Sequence, residues 1–211
     1  MKPTSSTTPL VHLVDTPCWY HGSASKFQDW QVPPPRKDPL LVAHTAIFFT
    51  TERDFASRAG REVSVSSIKP ESKILDCTIR SDGLEKLRLK TSQHATGELF
   101  ENFKEEYWYP GWISGDVLRP IANTSGISYL KSLISKQAHL ANLSTEDAWT
   151  MIQHNATRGL IEHICQCAAS LGFDGIFGHE VDRHSHSTKT LARPWLAIFN
   201  RSAISAPNWL D

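Results

Sequence analysis

Cys18-Trp19-Tyr20-His21-Gly22-Ser23 is the stretch on which the fold turns. A short apolar and aromatic run followed by small and polar residues suits a buried strand that ends at His21-Gly22-Ser23. Upstream, Val11-His12-Leu13-Val14 suits another short strand, and residues 1–10 are expected to be a flexible Ser/Thr-rich leader. Downstream, Val32-Pro33-Pro34-Pro35-Arg36-Lys37-Asp38-Pro39 is a stiff loop, because each proline fixes its φ and lacks a backbone donor.

Beyond that loop Ala46-Ile47-Phe48-Phe49 reads as a strand and residues 51–60 as a short helix, with Thr51 as the cap, Asp54 as its acidic partner and Gly60 closing it. Val63-Ser64-Val65-Ser66-Ser67-Ile68 alternates with a period of two, and Ile74–Ile79 follows a Lys-Pro-Glu-Ser turn, so these two strands are expected to pair as neighbours. Residues 80–126 carry no sustained period and are expected to be irregular. Their aromatic cluster Tyr107-Trp108-Tyr109-Pro110-Gly111-Trp112 serves either as packing or as a docking surface. Residues 128–171 read as helical, with Leu160, Ile161, Ile164 and Ala168 on one face. Gly172-Phe173-Asp174-Gly175-Ile176-Phe177 then turns into a strand, a polar loop runs from His179 to Arg193, and Trp195–Phe199 is a final buried strand. Strands and a helix, then a helical middle, then strands describe an α+β domain spanning 11–211 after the leader 1–10.

The chain of 211 residues is long enough for a real core without a disulfide scaffold. Lys+Arg and Asp+Glu are equal at 22 each, so no global field draws it to nucleic acid or to an anionic membrane. No apolar run approaches the roughly 20 residues that span a bilayer. The four cysteines are irregularly spaced and are expected to be free thiols in a reducing compartment, which makes the protein cytoplasmic where it is synthesised. There is no Gly-rich loop of the dinucleotide or triphosphate kind, so any nucleotide is held by another device.

Tyr20-His21-Gly22-Ser23, then Ile47-Phe48-Phe49-Thr50 with a short helix containing Ala56, then Val65–Thr78 with its Ile68-Lys69-Pro70 linker, then Leu171–Ile176 leading to Trp195–Asn200, form an ordered series of blocks. That series resembles the His-Tyr-Glu branch of the ADP-ribosyltransferases, and in particular its small bacterial toxin- or effector-like members. The resemblance implies an α+β split β-sandwich of two antiparallel sheets with a helical insertion, clasping NAD as co-substrate. It implies that His21 reaches the adenosine ribose, that Gly22 lets the backbone approach the nicotinamide amide, that Ser23 adds a hydroxyl, and that Phe48 stacks on the nicotinamide ring with Thr50 beside it. The family's tyrosine is here Phe48, which keeps the π face and loses the phenol.

The third block departs from the family. A glutamate is expected just before the last apolar run, where it would stabilise the cationic charge that develops as nicotinamide leaves. Counting back from Phe199 reaches Trp195, or at most Arg193-Pro194, and no carboxylate. Glu180 and Asp182 are the nearest acids, and Glu180 is the chosen substitute, folded back from its loop. His179, Glu180, His184 and His186 have a superficial likeness to a metal site, but the spacing is not that of a helical zinc site, and no metal is expected.

The function implied is mono-ADP-ribosyl transfer from NAD to a protein acceptor by a monomer, with catalytic residues His21, Phe48 and Glu180. The acceptor would be a host protein such as ubiquitin or a small GTPase if the chain is a toxin or is secreted into a host cell as an injected effector. The alternatives are an NAD glycohydrolase, with water as acceptor, and a catalytically silent NAD- or protein-binding module of the same fold.

Overall fold

A computed structural model of the chain describes residues 18–35, 43–94, 158–159, 161–181 and 192–211. The expected strand at 11–14, the aromatic cluster at 107–112, most of the helical stretch, and Asp182, His184 and His186 lie outside the described residues.

Within them the architecture is α+β, with seven strands in two sheets. Strand β1 is Trp19–Ser23 and β2 is Ile47–Phe49; helix α1 is Arg53–Ala59; β3 is Glu62–Ser66 and β4 is Ile74–Asp76. Helix α2 is Asp82–His94, helix α3 covers 161–170, and β5 (Gly175–Val181), β6 (Ala192–Ile198) and β7 (Asn208–Trp209) complete the set. One sheet runs β1-β3-β7 and the other β2-β6-β5-β4.

Every strand pair is antiparallel except β4 with β5. The expectation of two wholly antiparallel sheets is therefore corrected. A parallel pair needs a long crossover, and the connection through α2 and α3 supplies it. The expected pairing of the alternating segment with the next strand is corrected too, since β3 and β4 belong to different sheets. Between them the chain is held by the C-terminal segment: Lys69 N–H donates to Ala203 O at 3.0 Å, and Ser205 N–H donates to Ser67 O at 2.9 Å.

The core fills the space between the sheets with Trp19, Trp30, Ile47, Phe49, Ile68, Ile74, Leu196, Ile198 and Ile204. The second face of the four-stranded sheet carries a cross-strand row of Leu75, Ile176, Ala197 and Phe48, and α2 packs on it, where a Cβ at Gly83 would come within 2.9 Å of Leu75 Cδ1.

Helix α2 falls in the segment expected to be irregular. Ser81 Oγ accepts from Leu84 N–H at 3.2 Å, Asp82 and Glu85 sit in the first turn, and Leu84, Leu87 and Thr91 are buried on one face. Helix α3 buries Ile161, Ile164, Cys165 and Ala168, on the face the spacing predicts. It ends in a Schellman motif: Phe173 N–H donates to Ala168 O at 3.3 Å and Gly172 N–H to Ala169 O at 2.9 Å, with Gly172 at φ 84°. Asp174 follows and ties three strand ends, its carboxylate accepting from Lys73 N–H at 2.8 Å and its carbonyl from Phe199 N–H at 3.0 Å.

Helix α1 starts one residue later than expected. Its cap is Glu52, which makes no side-chain cap bond, and Thr50 Oγ1 accepts from Glu52 N–H at 3.3 Å. Gly60 ends the helix in extended backbone, so left-handed geometry is not its reason; a Cβ there would fall 2.4 Å from the Ser23 backbone. Among the described residues no helix is long and apolar enough to cross a membrane.

Candidate active site

Among the described residues one backbone-bonded pair bridges β1 and the end of β2. Tyr20 N–H donates to Thr50 O at 2.7 Å and Thr50 N–H to Tyr20 O at 2.9 Å. In an antiparallel ladder, bonded pairs recur every second residue, so the next would be Gly22 with Phe48. That pair does not form. Phe48 O instead accepts from His21 Nδ1–H at 2.8 Å. Because Tyr20 turns its N–H and C=O away from β3, Gly22 does the same, and its two groups have no partner among the described residues. The sheets therefore part at Gly22, leaving a donor and an acceptor on the edge of β1.

The bond to a carbonyl requires the proton on Nδ1 of His21 and points Nε2 the other way. The ring stands edge-on to Trp30, with centroids 5.0 Å apart, and lies 5.6 Å from Phe49. His21 thus couples β1 to β2 and is half-buried among aromatics. Gly22 owes its lack of a side chain to α1, since a Cβ would come within 1.9 Å of Ala56 O. The same closeness lets α1 cross the strand beside the gap. Ser23 is buried and its Oγ accepts from Ser25 N–H at 3.5 Å, while Thr50 is buried at the seam.

Phe48 and Phe49 point to opposite faces, as successive strand residues must. His21 meets Phe49, so the ring of Phe48 is not brought to the ring of His21. Phe48 packs instead against His44, at 4.8 Å, and Trp195, at 5.7 Å. Trp195 stands where the third block lacks its acid, is buried, and has an Nε1–H with no partner among the described residues. Behind His44 lies Glu162 of α3, a buried carboxylate whose Oε2 accepts from Thr45 N–H at 2.7 Å and lies 3.9 Å from His44 Nδ1. Its Oε1 accepts from Gln166 at 2.8 Å.

Glu180 is in a strand and not in a loop. Strand β5 continues through Val181, and β6 begins at Ala192, so residues expected to be loop extend the ladder, with Glu180 opposite Arg193. The alternation of Phe177, His179 and Val181 was the period-two cue that the surrounding polar residues obscured. Arg193 is ion-paired with Glu52, and its guanidinium carbon is 5.8 Å from the centroid of Phe55. A carboxylate thus stands beside the third-block position, contributed by the N-cap residue of α1. Glu52, His44 and Glu162 were not among the residues the sequence singled out. Glu52 looked like an ordinary polar residue of a helix start, and His44 and Glu162 are more than a hundred residues apart in the chain.

The four cysteines are free thiols. Burial, reinforced by the charge of Glu162, holds the Cys165 thiol well above its ordinary range; burial does the same for Cys77, with Asp76 adding to it. Neither is a nucleophile at neutral pH.

No family model and no curated protein matches this chain. Among solved structures, one described as the crystal structure of an anti-CRISPR protein aligns over 92% of this chain and 94% of that chain, at 13% sequence identity and a TM-score of 0.32. A likeness of that size carries no argument about fold or function.

Proposed function

We propose that the chain is a mono-ADP-ribosyltransferase of the ADP-ribosyltransferase-like split-sandwich fold, using NAD as donor and a protein as acceptor. The observation that carries this reading is the interrupted ladder at Gly22. A primary carboxamide offers an N–H donor and a C=O acceptor side by side, the complement of the strand-edge C=O and N–H of Gly22 that have no partner among the described residues. Nicotinamide carries such a group, and His21, Ser23 and Thr50 flank the same gap. Phe48 then contributes its aromatic face from the β2 side of the gap.

The chemistry required is cleavage of the C–N bond between nicotinamide and ribose through a loose transition state. The electron pair departs with the ring nitrogen, and the acceptor closes on C1. Glu180 opposite Arg193, or Glu52 bound to it, gives that end of the cleft its carboxylate.

A second reading is favoured by Trp195. An indole packed on Phe48 where an acid is expected suits a module that binds NAD without turning it over. The two readings separate in one experiment: nicotinamide release from NAD by the purified protein and its His21→Ala variant, with and without a cell lysate containing labelled NAD, alongside calorimetric NAD binding. Label moved to a lysate protein, and lost in His21→Ala, supports the transferase. Release without transfer makes the protein a glycohydrolase, and binding without release makes it a silent module. Absence of both binding and release refutes the reading.

A further inference from the structure

The bond from His21 Nδ1–H to Phe48 O interrupts the ladder at Gly22, and a side-chain bond of this kind lasts only if its ring is held. Two aromatic residues of the segment after β1 hold it, across from Phe49. Trp30 meets the imidazole edge-on at 5.0 Å, Phe27 does so at 6.5 Å, and these two rings pack on each other at 4.9 Å. Residues 24–32 form no strand or helix of their own, so another part of the chain must fix them. We propose that the C-terminal end of the chain does so, and that Trp209 is a positioning residue of the site, acting through Phe27 on His21. The inference rests on the transferase reading for its effect on NAD, and it brings to that site residues 205–209, which supply none of the residues named for it so far.

Two indole N–H groups do the fastening. Trp209 Nε1–H donates to Phe27 O at 2.7 Å, and its ring stands edge-on to that of Phe27 at 4.9 Å. In the opposite sense, Trp30 Nε1–H donates to Ser205 O at 2.9 Å, so the two segments clasp each other at Phe27 and at Trp30. Trp209 is itself placed by β7, where it lies opposite Ser64 of β3, and Ser64 lies opposite His21 on its other side. The three residues therefore form one cross-strand row on the face of the sheet that looks toward the other sheet. Strands lie about 4.8 Å apart, so the Cα atoms at the ends of that row are about 10 Å apart. One benzene ring spans the interval, and Phe27 meets both ends of it. Ser64, in the middle, is fully buried and its Oγ has no hydrogen-bond partner among the described residues, a state that disfavours a hydroxyl. Its small size, which leaves room for the Phe27 ring, is the property in use.

Loss of the clasp has a defined consequence at the gap. With Phe27 and Trp30 free to shift, the imidazole leaves Phe48 O, that carbonyl becomes available to Gly22 N–H, and the next antiparallel pair, Gly22 with Phe48, forms. The gap then closes and the strand edge that would receive a carboxamide is lost. A residue that only adds stability behaves differently, because the His21 bond then stays intact for as long as the protein is folded.

The test uses the full chain and reads the His21 Nδ1–H proton by nuclear magnetic resonance, as its rate of exchange with water. The resonance is identified by its absence from His21→Phe, and NAD affinity and nicotinamide release are measured on the same samples. Trp209→Phe keeps a ring and removes the N–H donor, and Phe27→Leu keeps apolar bulk and removes the ring between His21 and Trp209. Leu87→Ala, on the buried face of α2 beyond the four-stranded sheet, is the control for general destabilisation. In Trp209→Phe and Phe27→Leu the proton should exchange about tenfold or more faster while the protein stays folded, and nicotinamide release should fall about tenfold or more. Leu87→Ala should leave the exchange rate as in the wild type. Wild-type exchange in both clasp variants, or equal acceleration in Leu87→Ala, overturns the assignment. A wild type that neither binds nor cleaves NAD overturns the transferase reading, and the exchange rates still decide the clasp.

Discussion

Gly22→Ala is the substitution that separates a packing role for this glycine from a conformational one. Its Cβ would sit 1.9 Å from Ala56 O and 2.9 Å from Gly60 N, all backbone atoms that no rotamer change can move. Ordinary contact begins at 3.4 Å, so α1 must retreat by about 1.5 Å along its whole length or β1 must buckle. Overpacking of this kind costs about 1–3 kcal/mol, with backbone against backbone at the upper end. Removing a glycine from a strand returns about 0.5–1 kcal/mol through the unfolded chain. The net expectation is a loss of about 2 kcal/mol, or roughly 4–8 °C in Tm for a chain of this size. Urea unfolding followed by far-UV circular dichroism, with the m-value checked for constancy, measures it. The control is Gly172→Ala, where a Cβ meets nothing within 4 Å and only the φ of 84° is penalised, at about 1–2 kcal/mol. A Gly22→Ala protein within about 0.5 kcal/mol of wild type would refute the helix-contact argument.

Two further expectations follow from charge. The Arg193–Glu52 pair has side chains 21% and 28% exposed, so a double-mutant cycle with Arg193→Met and Glu52→Gln should give a coupling of about 1 kcal/mol that shrinks in 1 M salt; a coupling indistinguishable from zero at low salt would mean the pair does not persist in solution. The Cys77 and Cys165 thiols are raised by burial from an ordinary value of 9.0. Both bind their proton more tightly folded than unfolded, so their contribution is complete below pH 9 and is lost as pH climbs above it, by about 1.4 kcal/mol per pH unit for each thiol. Unfolding midpoints should fall between pH 9 and 10.5, and Cys77→Ser/Cys165→Ala should flatten that slope; an unchanged slope would show that other groups carry the alkaline loss.

Much of the strand content was legible because it is written in contiguous apolar runs. Trp19–Ser23, Ile47–Phe49 and the Trp195–Ile198 part of β6 needed only burial and the period of two, whereas the short β7 was not expected. Pairing was not legible. Two alternating segments joined by a turn suit a hairpin, yet the segment between β3 and β4 is claimed by residues 203–205, more than a hundred positions away, and no local pattern records that competition. Helix α2 was missed for a different reason. Its weakly apolar stripe of Leu84, Leu87 and Thr91 is diluted by Lys, Arg and Gly83, and only the Ser81-Asp82 cap marked it.

The candidate site divides along the same line. His21, Gly22 and Phe48 lie on strands and could be named from the chain, but which backbone groups are left outside the ladder depends on where the pairing between β1 and β2 stops. A single side-chain bond, His21 Nδ1–H to Phe48 O, takes up the carbonyl that would have continued it. Gly22 is thereby left with an edge that has no partner among the described residues, while the pairing of β2 with β6 turns the Phe48 ring toward His44 and Trp195 and away from His21. The gap therefore follows from the interruption, and the facing of Phe48 from the β2–β6 register. A variant that abolishes that bond while keeping an aromatic ring, His21→Phe, should let Gly22 and Phe48 pair, close the gap, and lose NAD binding while still unfolding cooperatively. Retained binding in His21→Phe would mean that the ligand does not use the strand edge at all.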